Sequence, residues 1–397
     1  GNQTATLTVT DVYDNSSFCQ TTIVVQDNLG YCNNPNNDVA IGGFVGTEDG
    51  EALVQKLVGV SGGISIAQHT DVDGSFLFDN LPTGSSYTIT PTYDTNPLNG
   101  VTTLDMVVLR KHILNIDPIN TPYRLLAADV NQSGSVTTLD LVQIRKLILH
   151  IIPSFTNNTS WRFIPADYEF SDPDNPWNDN FPESITLQNV FNNNWENDFI
   201  GIKIGDVNGS SNPNNLLAAD DRNATETLDL TTDDRYLEAG YHYEIPIRSN
   251  NFDQILGYQF ALKFDTDYLD ITEVIPGDLV DMEVSNFGMK LLQEGILTTA
   301  FENIFDQPLA SDEVLFTLRV RAKAATSLSD ILSIERATLP VEAYQGSFDA
   351  AGTEVNYRDI TLGFKKTTDA RLKLYQNHPN PANDQTTIGF YLSAAED

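Results

Sequence analysis

The strongest constraint in this sequence is one pattern written twice between Asp94 and Ile151, at an offset of 35 residues. Residues 101–116 and 136–151 agree at 11 of 16 positions, which makes the stretch an internal repeat. Each copy joins a loop rich in acids and amides to an amphipathic segment. Met106, Leu109, Ile113 and Ile116 recur at i, i+3, i+7 and i+10, as do Leu141, Ile144, Ile148 and Ile151. That spacing predicts two helices, each with one apolar face, that bury those faces against each other. The second loop carries oxygen-bearing side chains at positions 1, 3, 5, 9 and 12 of a twelve-residue run: Asp129, Asn131, Ser133, Thr137 and Asp140, with Gly134 at position 6. A loop that wraps Ca2+ needs such a spacing, because a hard cation takes six to eight oxygens and the chain must turn sharply midway. Asp/Asn/Gly loops also simply start helices, where Asp105 and Asp140 suit the N-terminal dipole. Duplication of the whole loop–helix unit favours calcium. No helix signal precedes the second loop.

A duplicated calcium loop followed by a single helix, closed by Asp rather than Glu, resembles the dockerin type I repeat. The resemblance implies Asp129, Asn131, Ser133, Asp140 and the Ser135 carbonyl as calcium ligands, with Thr137 acting through water. The first loop departs from the pattern, with Leu98 at position 5 and Gly100 at 7; Asp94, Asn96 and Asp105 are its expected ligands. Further on, Asp206-Val-Asn208-Gly209 resembles the start of another such loop, but Leu217 stands where the closing acid belongs. It reads as a turn, with a third site left open.

Composition narrows the function classes. The 22 Lys+Arg against 55 Asp+Glu give a formal charge of −33, which repels nucleic acid and anionic membranes and draws divalent cations, though part of it serves solubility. Aromatic residues at 10% argue for packed cores. No apolar run is long enough to span a bilayer. The five histidines are scattered, and neither triad spacing nor a G-x-S-x-G, H-E-x-x-H or P-loop string occurs. His112 and His150 end the two helices, where a cation suits the dipole. No enzyme is expected. Cys19 and Cys32 either bridge a short loop or are two unrelated thiols, with the bridge favoured in an extracellular protein.

Along the chain, residues 1–29 read as two strands and resemble the last hairpin of an immunoglobulin-like repeat of the hyalin or PKD kind. Residues 33–93 read as a β-domain, its strands in 38–93 after the polar linker 33–37. Its strings Asp71-Val-Asp73-Gly74-Ser-Phe76, Leu81-Pro82-Thr83-Gly84 and Tyr87-Thr-Ile89 resemble prealbumin-like or Cna-B-type stalk domains. Residues 94–213 are the dockerin-like module with a C-terminal insertion, in which Ile200, Ile202 and Ile204 mark a strand. Residues 216–363 carry many short alternating runs, which argues for a β-sandwich. Gly257-Tyr-Gln-Phe-Ala-Leu-Lys-Phe264, Leu269-Asp-Ile-Thr-Glu-Val274 and Phe316-Thr-Leu-Arg-Val320 resemble the cohesin family; a generic jelly-roll or immunoglobulin-like stalk is the alternative. Tyr258, Phe260 and Phe264 alternate as core positions do. Residues 368–397, with Leu374-Tyr-Gln-Asn-His-Pro-Asn-Pro381, resemble the opening of the C-terminal sorting domain of type IX secretion in Bacteroidetes, which implies export to the cell surface or beyond. The chain reads as a fragment at both ends.

The fold expected is multidomain and mainly β, with β-sandwich modules flanking a small helical, calcium-binding dockerin-like unit. The function expected is non-catalytic: a secreted structural or adhesion protein that binds a protein partner or itself through its dockerin-like, cohesin-like or N-terminal strand surfaces, up to a filament. The alternative is the glycan-binding tail of a secreted polysaccharide hydrolase.

Overall fold

The computed structural model describes residues 2–10, 16–24, 38–214, 226–304, 309, 313–346, 355–366, 373–376, 378–383 and 385–391. At the N-terminus β1 (Asn2–Thr10) and β2 (Ser16–Val24) pair as an antiparallel hairpin. Cys32, and with it the Cys19–Cys32 bridge, lies outside the described residues, as do the linker 33–37 and part of the stretch 368–397.

The repeat forms two helices, α1 (Thr103–Ile113) and α3 (Thr138–Ile148). Each starts with a threonine N-cap whose backbone N–H donates to the aspartate three residues on: Thr102 to Asp105 at 2.8 Å, Thr137 to Asp140 at 2.9 Å. Met106, Leu109, Leu141, Ile144 and Ile148 share one core. The stripe stops short of its predicted end, for Ile116 and Ile151 are 54% and 37% exposed. Each chain leaves its helix through a left-handed residue, Asn115 (φ 56°) or His150 (φ 57°), which carries the next residue off the buried face. One expectation is corrected: a helix does precede the second loop, α2 (Pro122–Ala128). Its start signal lies in Thr121, whose hydroxyl accepts from the Arg124 N–H, and in Pro122 at the first turn. Leu125, Leu126, Ala127 and Ala128 bury its far side.

The first β-module consists of two four-stranded sheets. One runs β6 (Ser75–Pro82), β3 (Asp38–Gly46), β10 (Phe199–Lys203), β8 (Trp161–Pro165); the other runs β5 (Ile66–His69), β4 (Leu57–Gly62), β7 (Ser85–Thr92), β9 (Ile185–Val190). Val58, Val60, Tyr87 and Ile89 from one sheet meet Ile41, Phe76, Phe78 and Phe163 from the other in a single core. Three of the eight strands therefore come from residues 161–203, and the sheets do not break where the sequence suggested a boundary, between 93 and 94. The helical unit is a long excursion between β7 and β8 of this module.

The second β-module is built from β11 (Glu226–Asp234), β12 (Tyr236–Leu237), β13 (His242–Ser249), β14 (Ile255–Phe264), β15 (Leu269–Pro276), β16 (Phe287–Gly288), β17 (Ile296–Glu302), β18 (Val314–Ala322), β19 (Thr326–Ser327), β20 (Leu332–Glu335), β21 (Glu342–Gly346) and β22 (Val355–Lys366). Nine strands follow one another in the order β15-β18-β13-β11-β22-β21-β14-β17-β16, with β20 also on β14, while β12 and β19 form a separate ribbon. β11 and β22 run parallel from Glu226 opposite Arg358 to Asp234 opposite Lys366. The strands wrap a sandwich core that holds Tyr258, Phe260, Leu262 and Phe264 of β14. Those aromatics are core, as their alternation predicted. On the opposite face of the same strand Gln259 and Ala261 are also buried. The helices cover them.

Candidate functional site

The covered face of β14 and β17 is floored by small or short side chains, among them Gly257, Ala261, Thr298, Ala300 and Gly288 of β16. Short side chains let helix backbone approach closely. The Thr298 hydroxyl donates to the Leu149 carbonyl at the end of α3 at 2.9 Å. A Cβ on Gly288 would lie 2.3 Å from that same carbonyl oxygen, so no larger residue fits there without displacing backbone. At the other end, the Thr103 N–H of α1 donates to Gln259 Oε1 at 2.7 Å. Ala261, Ala300 and Leu339 of the sandwich join the apolar core of the helical unit, while Leu104 and Val107 of α1 pack with Leu256 and Tyr344.

Charge centres this interface. Arg110 and Arg145 are the same residue of the two repeats, and both converge on Glu302 of β17, whose side chain is 3% exposed. Arg145 forms the tight pair with Glu302 Oε1; Arg110 reaches the Glu302 backbone carbonyl at 3.4 Å and Asp281 Oδ2 at 2.8 Å. Burial pushes the Glu302 carboxyl up, and the two guanidiniums oppose that shift. His150 Nε2 lies 3.0 Å from the Thr338 carbonyl. Sequence reading assigned no role to Glu302, because acids are common throughout the chain and its burial appears only when the helices are seated.

The second loop assembles the residues expected of it. Asp129 accepts the N–H groups of Ser133 (2.8 Å) and Gly134 (2.9 Å). Gly134 has φ 77°, the left-handed turn that the loop requires midway. Asp140 is fully buried and accepts from Asn131 N–H at 3.3 Å and from Thr137. The Ser133 hydroxyl meets the Ser135 carbonyl at 3.1 Å. Burial, then the nearby Asp129 charge, raises the Asp140 carboxyl. The Oδ1 of Asn131 is shielded from solvent with no donor. An all-oxygen set with an orphaned acceptor and two carboxylates fits a hard divalent cation.

The first loop is arranged differently. Asp94 Oδ1 accepts the Ser160 N–H at 2.7 Å, and Leu98 packs against the helical core. Asn96 sits in the left-handed region at φ 50°, and its carbonyl accepts from Asn99. At Asp105 the place expected for Asp94 and Asn96 is taken by the segment after β10: Asp105 Oδ1 accepts Val207 N–H at 2.7 Å and Asn208 N–H at 3.1 Å. Burial raises both the Asp105 and Asp206 carboxyls, and their mutual repulsion adds to it at Asp105. Burial also pushes the Lys203 amine down to about 8.

Residues 92–149 match the model of the dockerin type I domain, and residues 227–341 that of the cohesin domain. Among solved structures, the seventh ScaB type I cohesin from Pseudobacteroides cellulosolvens is 18% identical, over 36% of this chain and 97% of that one, with a TM-score of 0.26. The Coh-OlpC–Doc435 type I cohesin–dockerin complex from Clostridium thermocellum gives 18% identity over 35% and 96%, with a TM-score of 0.24. The type II cohesin A11 from Bacteroides cellulosolvens gives 14% over 34% and 95%, with a TM-score of 0.26. No curated protein matches the chain. Cohesin and dockerin domains are non-catalytic modules of protein–protein assembly. Among the described residues no helix is long and apolar enough to cross a membrane.

Proposed function

We propose that this is a non-catalytic, extracellular structural protein whose dockerin unit is docked on the cohesin sandwich of its own chain, with calcium ordering the helical unit. The observation that carries this reading is the convergence of Arg110 and Arg145, one from each repeat, on the buried Glu302 of the sandwich. A buried carboxylate opposite two guanidiniums is costly to leave unpaired, so the helices hold one orientation on the sheet. Docking within the chain makes a compact rod segment rather than an open assembly site; the same surfaces meeting between chains would propagate head to tail. In the second loop Asp129, Asn131, Ser133, the Ser135 carbonyl and Asp140 would hold the ion, with Thr137 behind them, and the ion would neutralise two buried carboxylates. Export by the type IX route is supported by the Leu374–Pro381 string alone.

Molar mass measured by light scattering across a hundredfold concentration range in calcium tests the docking. A constant monomer mass, together with protection of α1 and α3 from hydrogen exchange, is expected. Mass that climbs with concentration would replace docking within the chain by chain-to-chain assembly, and no protection of the helices would remove the docked arrangement.

A further inference from the structure

Two incomplete motifs complete each other in space. In the second repeat a single loop supplies Asp129, Asn131, Ser133, the Ser135 carbonyl, Thr137 and Asp140. At the start of α1 the same six places are filled from two segments about a hundred residues apart. Asp206, Asn208 and Ser210 come from the segment leaving β10. The Gly100 carbonyl, Thr102 and Asp105 come from the repeat.

Four sets of bonds correspond, while Asn208 Oδ1, unlike the orphaned Asn131 Oδ1, accepts the Ser210 N–H at 2.9 Å, and the Val207 N–H on Asp105 Oδ1 has no counterpart at Asp140. The Asp206 carboxylate accepts the N–H groups of Ser210 (2.9 Å) and Ser211 (2.8 Å), as Asp129 accepts those of Ser133 and Gly134. The Ser210 hydroxyl donates to the Gly100 carbonyl at 3.1 Å, and the Ser133 hydroxyl to the Ser135 carbonyl at 3.1 Å. The Asn208 N–H reaches Asp105 Oδ1 at 3.1 Å, and that of Asn131 reaches Asp140 Oδ1 at 3.3 Å. The Thr102 hydroxyl lies 3.1 Å from Asp105 Oδ2, and the Thr137 hydroxyl 3.1 Å from Asp140 Oδ2.

Burial points the same way independently of those bonds. Asp105 is fully buried and Asp206 is 5% exposed, so two like charges have been withdrawn from water together. Such a pair is strongly unfavourable without a cation. The buried amine of Lys203 interacts with both charges at longer range, but its Nζ donates to the carbonyls of Pro97 (2.7 Å) and Ile204 (3.0 Å), and among the described residues neither carboxylate has a salt-bridge partner within 4 Å.

We infer that Asp206, Asn208, Ser210, the Gly100 carbonyl, Thr102 and Asp105 form a split site for a divalent cation of the calcium class, which fastens the segment after β10 to the N-terminus of α1. The inference rests on the reading of residues 129–140 as a calcium loop, of which this site is the discontinuous twin. It assigns Asp94 and Asn96 no ligand role. It also explains why Asp206-Val-Asn208-Gly209 starts a loop that never closes in sequence: its closing acid is Asp105.

Calcium titration of the chelator-stripped full chain, by calorimetry and by native mass spectrometry, tests it. Two ions per chain are expected for the unmodified protein and for Asp94→Asn, and one each for Asp206→Asn and Asp129→Asn. Asp206→Asn should also raise the Tm in chelator, because it removes one of two buried like charges, while the calcium-induced rise in Tm shrinks. A purely structural Asp206 would lower the Tm equally with and without calcium. Two ions in Asp206→Asn, an ion lost in Asp94→Asn, or one ion in the unmodified chain that vanishes in Asp129→Asn would each overturn the split site and leave the 129–140 loop standing. No ion in any form would overturn both. Should Asp206→Asn fail to fold, the half-exposed Asn208→Ala gives the same count: one ion supports the split site and two overturn it.

Discussion

Leu104 and Leu139 occupy the same place in the two copies of the repeat, yet Leu104 is 7% exposed among Val107, Leu256 and Tyr344, whereas Leu139 is 66% exposed. Val107 is buried at 1%, while its counterpart at position 142, also valine, is 38% exposed. The first repeat turns its outer face to the sandwich and completes its loop with borrowed residues; the second has a contiguous loop and leaves that face in solvent. Near-identical sequence thus fixes the same helix, cap and inward stripe in both copies, and the surroundings alone decide which side chains contribute to stability. A repeat is a statement about local structure. It is not a statement about energetics.

The most severe way to break this asymmetry is at the charge both repeats share. Glu302→Ala leaves two guanidiniums without their buried counter-charge, and the loss should be about 3 kcal/mol or more in denaturant titrations at fixed calcium. A change below ~1 kcal/mol would mean that the arginines do not seat the helices. Next in size, Leu104→Ala should cost about 2–3 kcal/mol and Leu139→Ala no more than about 0.5 kcal/mol. Equal losses at the two sites would contradict the docked orientation. Gly288→Ala pushes a methyl into the Leu149 carbonyl and should cost about 1–3 kcal/mol, read as faster hydrogen exchange at the end of α3 and not in α1. Unchanged exchange at both ends would contradict that contact.

The smallest effect is a slope with pH. The Glu302 carboxyl is raised in the folded protein, chiefly by burial. Between the ordinary and the folded values the native state therefore holds more proton than the unfolded chain, and this group makes the fold less stable as pH rises through that window. Glu302→Gln should flatten that part of the Tm–pH curve; an unaltered curve would show that the group does not titrate in the window.

The helices were legible because a 3.6-residue stripe, repeated, has no other reading, and the cohesin-like strands because Tyr258, Phe260 and Phe264 alternate on one face of β14. The outward residues of that strand, Gln259 and Ala261, gave no sign of being covered, since small and amide side chains suit solvent as well as a tight interface. α2 was hidden by its length: seven residues with a threonine cap and an N-terminal proline resemble a turn. The strands at 161–165 and 185–190 were missed because their partners, β10 and β7, lie far off in sequence. Each half of the split loop was visible, one as a start without its closing acid and the other as a loop that departs from the pattern at Leu98 and Gly100, but Asp94 and Asn96 offered local opening ligands and nothing local joins Asp206 to Asp105.

The parallel pairing of β3 with β10, Val45 beside Phe199 and Gly46 beside Ile200, has a mechanical consequence. A tug applied at residue 38 and at residue 203 pulls these neighbours past each other, loading their hydrogen bonds together in shear rather than peeling them one at a time. The whole helical excursion from 93 to 160 hangs outside that line of force. Tension carried past Lys203 would thus meet the ion-binding clasp that ties this stretch to the N-terminus of α1, and the docked helices would share the load only through that clasp.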